Sequence, residues 1–470
     1  MNFLNTFTHV YLIGIGGIGM SALARYFQQK GYMVAGYDRS QTPLTQQLEN
    51  ENITITYTDS IAQIPTNFLE VEPQKVLVIF TPAIPKENTQ LNFFIQKGYR
   101  IHKRAEVLAW LTQGSYNIAI AGTHGKTSTT AMVAHLFKTA QFPFYAFLGG
   151  ISQNYQTNLL SNTDTLQNSF TITEADEYDK SFLQLSPQII VLNSIEPDHL
   201  DIYGNEHEVM KTYQQFVEKI LSNGKIFVRK GIEQVLDFSF TKEKNVQLFT
   251  FGTEPDADFI AHNLQIKNEY FVFDFQDNTQ NLQIPITLQV AGFHNIINAT
   301  AAMAVALQVP IRHEIVKSGI ETYLGVKRRF QFLVRSEKYI LIDDYAHHPT
   351  EIETFLRSVK NLYPNKKSTA IFQPHLYTRT RDFMQDFAQS LALADEVWLL
   401  PIYPAREQPI QGINSEKLLA LIPKKEKYLL TKEEIKQKVQ QSTPELLLTI
   451  GAGDIEQLAI ELASIYNILE

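Results

Sequence analysis

Runs of apolar, β-branched residues alternate with amphipathic stretches along most of this 470-residue chain. A strand that is buried on both faces reads as a continuous apolar run, and amphipathic stretches between such runs cover the sheet as helices. The alternation therefore predicts an α/β fold built from parallel sheets. At roughly 150 residues per domain, the length corresponds to about three domains.

The predicted elements divide the chain into three domains. Residues 1–113 have a Rossmann-like pattern, and residues 114–324 form a central parallel sheet with a small antiparallel patch within 246–290. Residues 325–470 have the pattern of a second Rossmann-like sheet. Strands are predicted at 9–15, 32–37, 53–57, 76–81, 117–121, 170–173, 189–193, 270–275, 330–334, 339–343, 369–373, 396–401 and 446–450. Helices are predicted at 18–29, 105–112 and 295–307, and a further helix follows the strand at 117–121.

Composition excludes several classes of chemistry and partner. The chain has no cysteine, which excludes disulfides, thiolate zinc sites and thiol catalysis. Its net charge is −8, which disfavours nucleic acid as the main partner because neutralising a phosphate backbone needs a basic surface. Neither a signal-peptide pattern nor a run of about 18 apolar residues occurs, so we expect a cytoplasmic protein without a membrane span. We also expect a monomer or a weak homodimer.

A glycine-rich turn near the N-terminus has the spacing of a diphosphate-binding loop. Gly14, Gly16 and Gly19 fit the pattern G-x-G-x-x-G directly after a predicted strand, and Asp38 ends the next strand. Glycines let the backbone approach a pyrophosphate closely, and the helix N-terminus supplies amide donors. The pattern fits NAD, FAD and a nucleotide sugar equally well, and it also occurs as a tight turn that binds no ligand.

A second loop, G-T-H-G-K-T at 122–127, lies between a predicted strand and a predicted helix. It departs from the Walker pattern G-x-x-x-x-G-K-[ST], because Ile120 stands where the first glycine is expected and Gly122 replaces it. Backbone amides of such a loop can cradle the β-phosphate, Lys126 can bridge the β- and γ-phosphates, and Thr127 can ligate Mg²⁺. We therefore predict that the protein consumes ATP.

Acidic and histidine-containing loops follow several predicted strands, at the end where open α/β sheets bind ligands. The carboxylates at 174–177 and the sequence P-D-H at 197–199 can hold Mg²⁺ near a γ-phosphate. In the third domain, the loop 343–350 contains two adjacent histidines. The loop 373–379 adds another histidine and Arg379, whose planar fork suits a carboxylate. A single acidic loop is usually solvated surface, but two such loops in the phosphate-loop domain favour a metal site.

These motifs, taken in order along nearly the whole chain, resemble the Mur ligase family. The motifs that carry the resemblance are G-I-G-G-I-G-M-S at 14–21, G-T-H-G-K-T at 122–127, E-A-D-E-Y-D at 174–179, E-P-D-H-L-D-I-Y-G at 196–204, G-F-H-N-I-I-N-A at 292–299, G-V-K-R-R-F at 325–330, D-D-Y-A-H-H-P-T-E at 343–351, Q-P-H-L-Y-T-R at 373–379, A-R-E-Q-P-I at 405–410 and G-A-G-D-I at 451–455. The resemblance is to the branch that joins L-alanine to the carboxylate of UDP-N-acetylmuramate in peptidoglycan precursor synthesis. It implies ATP and two Mg²⁺ ions as cofactors.

The resemblance also implies roles for individual residues. Those implied at the UDP-sugar are Gly14, Gly16, Gly17, Ile18, Gly19, Asp38 and Thr81. Those implied at ATP are Gly122, Thr123, His124, Gly125, Lys126, Thr127, Ser128, His294, Asn295, Asn298, Arg328, Arg329 and Asp344. The implied metal ligands are Thr127, Glu174 and His199, and the residues implied to face the amino acid are Tyr345, His347, His375 and Arg379. The implied catalytic set is Lys126, His199, His347, His375 and Arg379.

The chemistry of amide formation explains why such a chain needs ATP. A carboxylate is a poor electrophile, so it first attacks the γ-phosphate to give an acyl phosphate, which the amine of L-alanine then attacks. The base for the amine is one of His347, His348 and His375 in the neutral form, with Asp344 as the alternative. Two other functions stay open. One is a murein-recycling ligase that attaches a peptide to the same nucleotide, and the other is a nicotinamide-dependent oxidoreductase that uses the first glycine loop and Asp38.

Overall fold

The computed structural model describes residues 3–196, 203, 205–405 and 407–469. Within these ranges the chain folds into three sheets flanked by helices, which confirms the predicted α/β class and its three-domain plan. No helix in the described part of the chain is both long enough and apolar enough to cross a bilayer.

The first sheet is formed by β1 His9–Ile13, β2 Met33–Tyr37, β3 Thr54–Thr56, β4 Val76–Phe80 and β5 Arg100–Lys103. Its helices are α1 Ile18–Gln29, α2 Pro43–Asn50, α3 Thr66–Leu69, α4 Thr89–Gln96 and α5 Arg104–Thr112. All neighbouring strands are parallel, in the order β3-β2-β1-β4-β5. The chain builds the sheet outward from β1 on one side and then from β4 on the other. The loops after β1 and β4 therefore meet at a topological switch point, where such sheets bind ligands.

In the described part of the chain the second sheet has ten strands, and four helices accompany it. Its strands are β6 Tyr116–Ala121, β7 Phe144–Phe147, β8 Leu159–Ser161, β9 Phe170–Glu174, β10 Ile189–Leu192, β11 Lys225–Arg229, β12 Gln247–Gly252, β13 Phe259–Lys267, β14 Tyr270–Asp277 and β15 Leu282–Leu288. The helices are α6 Lys126–Thr139, α7 Glu206–Val217, α8 Phe293–Leu307 and α9 His313–Glu321. The order is β15-β14-β13-β12-β11-β10-β6-β9-β7-β8, with parallel pairs from β13 through β7.

The antiparallel patch predicted within 246–290 begins with a tight hairpin. Only Asn268 and Glu269 separate β13 from β14, and both residues have positive φ, at 50° and 63°. Two central residues of positive φ form the turn that matches the twist of an antiparallel pair, whereas a parallel pair would need a long crossover. This part of the prediction is confirmed.

The third sheet is formed by β16 Gln331–Arg335, β17 Ile340–Asp344, β18 Ser368–Phe372, β19 Glu396–Leu399, β20 Lys427–Leu429 and β21 Leu446–Ile450. Its helices are α10 Pro349–Leu362, α11 Tyr377–Asp382, α12 Met384–Leu391, α13 Ser415–Leu421, α14 Lys432–Ser442 and α15 Ile455–Leu469. The order is β16-β17-β21-β18-β19-β20. The strand β16 runs antiparallel to β17, and the other pairs are parallel. Every residue of β17 and β21 is buried, as expected for central strands covered on both faces.

The contacts within the chain define two compact units. The first comprises Met1–His262, Asp274–Ile286 and Ile297–Thr322, and the second comprises Asn263–Phe273, Thr287–Ile296 and Tyr323–Glu470. The first unit thus contains the first sheet together with the phosphate-loop region, and the second unit contains the third sheet. The predicted boundaries at 113/114 and 324/325 stay predictions.

A shared apolar core explains why the first two predicted domains form one unit. Tyr145 and Leu159, from β7 and β8, belong to the same buried cluster as Leu23 and Phe27 of α1. A buried arginine of the same helix, Arg25, reinforces this junction. Its guanidinium donates to both carboxylate oxygens of Glu51, at 2.8 and 2.9 Å, and also to the side chain of Asn158. The helix α1 is therefore packed from both sides.

We predict that Gly36→Ala destabilises the first unit. Gly36 lies in β2, and a Cβ there would overlap the carbonyl oxygen of Leu12 in the central strand β1, which cannot move aside. Overpacking of this kind costs about 1–3 kcal/mol in the free energy of unfolding, measurable by urea denaturation. Gly17→Ala is the control, because its φ is −65° and its Cβ would come no closer than 3.4 Å to Gly14 O. Equal losses in both variants would contradict the prediction.

Candidate active site

The phosphate loop connects β6 to α6 and needs glycine at two positions. Gly122 and Gly125 have φ of 129° and 80°, a region that other residues adopt only with strain. A Cβ on Gly122 would lie 2.8 Å from the backbone nitrogen of Ser194, and one on Gly125 would lie 2.5 Å from Asn298 Oδ1. Ser128, in the first turn of α6, is half-buried. The predicted loop residues and Asn298 are thus brought together.

The segment after β10 fixes the shape of the phosphate loop. The backbone N–H of His124 donates to Ser194 Oγ at 2.9 Å, and that of Thr123 donates to the carbonyl oxygen of Ser194 at 3.3 Å. The N–H of Glu196 donates to Thr123 Oγ1 at 2.9 Å. The loop is therefore held in place by a neighbouring strand end. The predicted motif residues Pro197, Asp198 and His199 lie outside the described residues.

Lys126 is held by a carboxylate that the sequence analysis did not single out. Its Nζ lies 2.8 Å from both carboxylate oxygens of Glu177 and donates to the carbonyl oxygen of Gly122 at 2.7 Å. The side chains of Lys126 and Glu177 are 16% and 4% exposed. Burial alone would lower the pKa of Lys126, but the charges of Glu177 and Asp176 outweigh it and raise that pKa. The lysine is therefore charged and directed into the loop.

Thr127 and Glu174 come together as predicted. Thr127 Oγ1 donates to one carboxylate oxygen of Glu174 at 3.3 Å, and the N–H of Gly149 donates to the other at 2.8 Å. Burial raises the pKa of Glu174, because the ionised carboxylate is poorly solvated there. A cation beside it would stabilise the ionised form. Hydroxyl and carboxylate oxygens are the donors that Mg²⁺ prefers. Among the described residues, which exclude 197–202, no group of three His, Asp or Glu side chains is placed so that it could hold a metal ion.

The first glycine loop lies at the switch point of the first sheet and is hydrogen-bonded to Asp38. The N–H of Gly16 donates to Asp38 Oδ2 at 2.9 Å, and the N–H of Gly17 donates to the carbonyl oxygen of Gly14 at 3.1 Å. A Cβ on Gly14 would lie 2.8 Å from Thr81 Cγ2, so the loop after β4 lies against the loop after β1. The structure thus brings the predicted residues of this site together. Asp38, which was predicted to contact the ligand, accepts a hydrogen bond from the loop backbone and so supports the loop.

The sequence analysis missed Arg104, which lies beside this loop and begins the helix α5. Ile18 is the first residue of α1, and a Cβ on the next residue, Gly19, would lie 2.7 Å from Arg104 Nη1. On its other side, the guanidinium lies 3.8 Å from Asp176 Oδ2. A cation beside the positive end of a helix is favourable when an anion joins both. Arg104 directly follows β5, and this position at a strand end is the signal that could have found it.

The four residues predicted to face the amino acid form one cluster in the second unit. His347 Nδ1 lies 3.1 Å from the carbonyl oxygen of Tyr345, and the ring of His347 lies 6.4 Å from that of His375. Arg379 Nη1 lies 3.5 Å from His375 Nδ1. Tyr403, which the sequence analysis did not name, stacks on His375 at 5.7 Å and 18°. The cluster combines a cation, two imidazoles and two phenol rings.

Two arginines predicted at ATP differ in their freedom to bind a ligand. Arg328 is buried, and its guanidinium donates to Asp343 Oδ2 at 2.9 Å and to the carbonyl oxygen of Gly451. Arg329 has a side chain that is 37% exposed, and its Nη1 lies 3.9 Å from Glu351 Oε1. Both guanidinium groups lie over the ring of Tyr345, at 5.2 and 5.5 Å. Arg328 therefore supports the fold around the tyrosine, and Arg329 is better placed for a ligand.

Asp344 is engaged with the backbone on both of its oxygens. It accepts the N–H of Phe330 at 2.7 Å and the N–H of Ala346 at 2.8 Å. Burial raises the pKa of Asp344 to about 6, against the opposing charge of Arg329. Each carboxylate oxygen of Asp344 is thus already bound to a backbone N–H, which gives the residue a structural role and favours the histidines as the base.

The other residues predicted at ATP lie at the start of α8. In the second unit, Asn295 Nδ2 donates to the carbonyl oxygen of Ala291 at 2.7 Å. The ring of His294 lies against Gly292, where a Cβ would come within 2.5 Å of the imidazole. Gly292 has φ of 105°, so the turn that starts the helix also requires glycine. The roles of His294 and Asn295 at a nucleotide stay predictions.

Models of one protein family match most of the chain. Residues 9–116 match the model described as "Mur ligase family, catalytic domain". Residues 120–306 match "Mur ligase middle domain", and residues 328–453 match "Mur ligase, glutamate ligase domain". The three matches follow one another along the chain in the order of the three predicted domains.

Individual proteins of this family are similar over the full length. A UDP-N-acetylmuramate–L-alanine ligase of Cytophaga hutchinsonii is 44% identical, with 95% of this chain and 94% of that protein aligned. The crystal structure of the UDP-N-acetylmuramate–alanine ligase of Thermotoga maritima superposes with a TM-score of 0.78 at 26% identity, covering 98% of this chain and all of that one. A murein peptide ligase of Psychrobacter arcticus has a TM-score of 0.72 at 22% identity, over 97% and 98% of the two chains, which shows the shared fold.

We predict that Glu177→Gln makes the stability of the protein depend on nucleotide. Without Glu177, the buried ammonium of Lys126 loses its partner, and breaking a buried pair costs about 3–5 kcal/mol. Triphosphate would supply the missing negative charge, so ATP should raise the Tm of this variant more than that of the parent protein. Differential scanning calorimetry with and without ATP measures both effects. Glu196→Gln is the control, since that side chain is 54% exposed and lies beside His124 of the same loop, at 3.3 Å, instead of beside Lys126. An equal ATP-induced rise in the variant and the parent would contradict the prediction.

Proposed function

Because the chain belongs to the Mur ligase family, we propose that it joins L-alanine to the carboxylate of UDP-N-acetylmuramate, while ATP is converted to ADP and phosphate. The product is a precursor of peptidoglycan, and the reaction takes place in the cytoplasm. The observation that carries the proposal is the phosphate loop in which Lys126 and Thr127 each contact a carboxylate of the loop 174–177. The choice of L-alanine as the amine is supported by the names of the full-length relatives.

The proposal assigns one substrate to each predicted domain. Residues 1–113 bind the UDP-sugar, residues 114–324 bind ATP, and residues 325–470 bind the amino acid. The glycine loop at the switch point of the first sheet supports the first assignment, and the loop before α6 supports the second. The cluster around His347 and Arg379 supports the third.

Phosphoryl transfer comes first in the proposed reaction. The muramate carboxylate attacks the γ-phosphorus, the bond to the bridging oxygen of ADP breaks, and an acyl phosphate forms. Lys126 balances the charge that gathers on the phosphates from its position beside Glu177. Thr127 and Glu174 would supply oxygen donors for Mg²⁺, and His199 would be a further ligand. When bound, two Mg²⁺ ions neutralise the triphosphate and so lower its repulsion toward the carboxylate.

Amide formation follows at the carbonyl carbon of the acyl phosphate. Arg379 holds the carboxylate of L-alanine through its planar fork, and a neutral histidine beside it takes a proton from the ammonium group. The freed amine attacks the carbonyl carbon to give a tetrahedral intermediate. The C–O bond to phosphate then breaks, and the second amine proton leaves with the phosphate. Atoms and charges therefore balance without a further reactant.

The nicotinamide alternative loses its main support at Asp38. In that reading the carboxylate accepts hydrogen bonds from a ribose. Here Asp38 Oδ2 accepts the N–H of Gly16 at 2.9 Å, and Oδ1 accepts the N–H of Ser40 at 3.2 Å. The alternative also gives no role to the buried pair of Lys126 and Glu177.

We predict that ADP release requires both UDP-N-acetylmuramate and L-alanine. The acyl phosphate is consumed only by the amine, so a coupled assay that omits either substrate should show no sustained turnover. An arm with L-Ala-γ-D-Glu-diaminopimelate in place of L-alanine tests the murein-recycling alternative. Turnover with that peptide and none with L-alanine would replace the proposal, and equal turnover without any amine would end the ligase assignment.

We predict that substitutions of Lys126 and Arg104 affect different ligands. Lys126→Ala should abolish phosphoryl transfer and leave the Kd for UDP-N-acetylmuramate near that of the parent. Arg104→Gln should raise that Kd by about ten- to a hundredfold, since a charge-assisted contact is worth about 1.5–3 kcal/mol, and leave the Kd for ATP unchanged. Isothermal titration of each ligand separates the effects. Loss of both affinities in either variant would contradict two separate sites.

A further inference from the structure

Glu351 contacts His347 at two points. It lies in the first turn of α10, four residues after the histidine. Its Oε2 accepts the backbone N–H of His347 at 3.1 Å and lies 3.4 Å from Nδ1 of the imidazole. The side chains of His347 and Glu351 are 24% and 19% exposed, so both contacts are largely shielded from water. The carboxylate is thus fixed relative to the ring through the backbone as well as the side chain.

The surroundings of Nδ1 determine where the neutral imidazole carries its hydrogen. One neighbour is the carboxylate of Glu351, and the other is the carbonyl oxygen of Tyr345 at 3.1 Å. A carbonyl oxygen and an ionised carboxylate both accept hydrogen bonds and donate none. The hydrogen therefore lies on Nδ1, and Nε2 carries the lone pair. A ring with the opposite tautomer would place its lone pair against two acceptors.

Burial favours the neutral form of the His347 ring, and the charged groups around it have opposing effects. Burial lowers its pKa, and the positive charges of Arg379 and Arg329 lower it further, whereas the negative charge of Glu351 raises it. The ring of His375 lies 6.4 Å away and carries the hydrogen-bonding contact to Arg379. A neutral ring whose Nε2 carries the lone pair, close to Arg379, is the arrangement that a base for an amino acid requires.

We propose that Glu351 is a positioning residue that holds His347 in the Nδ1–H tautomer, which makes Nε2 of His347 the acceptor of the amine proton. The inference rests on the proposed function and names the base among the three histidines. In the step, an N–H bond of the ammonium breaks and its electron pair stays on nitrogen, while the proton bonds to Nε2. The imidazolium that results carries hydrogen on both nitrogens, and Glu351 stabilises its charge through Nδ1–H.

The tautomer can be measured without any turnover. In protein with ¹⁵N-labelled histidine rings, the signals of His347 are those that His347→Gln removes. We expect the parent protein to show His347 protonated on Nδ1 alone at neutral pH. In Glu351→Gln the side-chain amide can donate to Nδ1, so a second signal with hydrogen on Nε2 should appear. An Nε2–H signal in the parent protein would overturn the proposal whatever the activity.

Kinetics test the consequence for the reaction. Glu351→Gln should lower kcat about tenfold at its pH optimum and leave the KM for UDP-N-acetylmuramate unchanged, because part of the population carries the wrong tautomer. Activity is lost as pH falls through the pKa of His347, and removal of the negative charge of Glu351 lowers this pKa. The acid limb of the kcat profile should therefore move to lower pH, which general damage to the fold would not produce.

Two further variants complete the test. Glu353→Gln, on the same helix, removes an exposed carboxylate that pairs with Arg357, and it should leave both the tautomer and the pH profile unchanged. Glu351→Asp keeps the charge at a shorter reach and should retain more activity than Glu351→Gln. An unmoved acid limb in Glu351→Gln would overturn the role of Glu351. Absence of any L-alanine-dependent product in the parent protein would instead refute the proposed function and leave the tautomer result intact.

Discussion

The buried ion pair between Lys126 and Glu177 determines how the phosphate loop of the first unit is held. Lys126 is directed into the phosphate loop because Glu177 and the carbonyl oxygen of Gly122 hold it there. An unpaired ammonium would be costly at this depth, and an unpaired Glu177 would be costly too. Hydrogen bonds to Ser194 and Glu196 align the loop, while the ion pair holds its charge. The shape of the loop and the position of its cation are therefore both fixed by contacts within the protein.

Much of the fold could be predicted because local signals coincide with the long-range structure. The helix predicted at 18–29 is observed as Ile18–Gln29, since a glycine turn marks its start and an apolar face continues to its end. The strand predicted at 446–450 is observed at the same residues, because a strand buried on both faces needs a continuous apolar run. By contrast, the short strands Arg100–Lys103 and Lys427–Leu429 were missed. Each lies at the edge of its sheet, where polar residues are tolerated and the pattern is lost.

The site was predicted as a set of residues but not as a set of contacts. The residue types and their positions after strands were enough to group Thr127 with Glu174, and His347 with His375 and Arg379. What could not be predicted was which charge meets which partner. Arg104 comes beside Gly19 only through the packing of the sheet, and nothing in the sequence marks Glu177, among its acidic neighbours, as the partner of Lys126. Asp38 and Arg328 were assigned to ligands from the pattern, whereas their hydrogen bonds in the structure are to the protein itself.

The core that joins the first sheet to the strands β7 and β8 limits which segments of this protein could be exchanged for those of a relative. Tyr145, Phe147 and Leu159 complete an apolar cluster that α1 begins, and Asn158 binds the buried guanidinium of Arg25. The first sheet with its helices is therefore not an exchangeable module. A chimera that took residues 1–113 from a relative would inherit half of a contact surface evolved against another partner. Transfer of specificity between family members would need the β7–β8 hairpin to travel with the first sheet, as one inherited block of sequence.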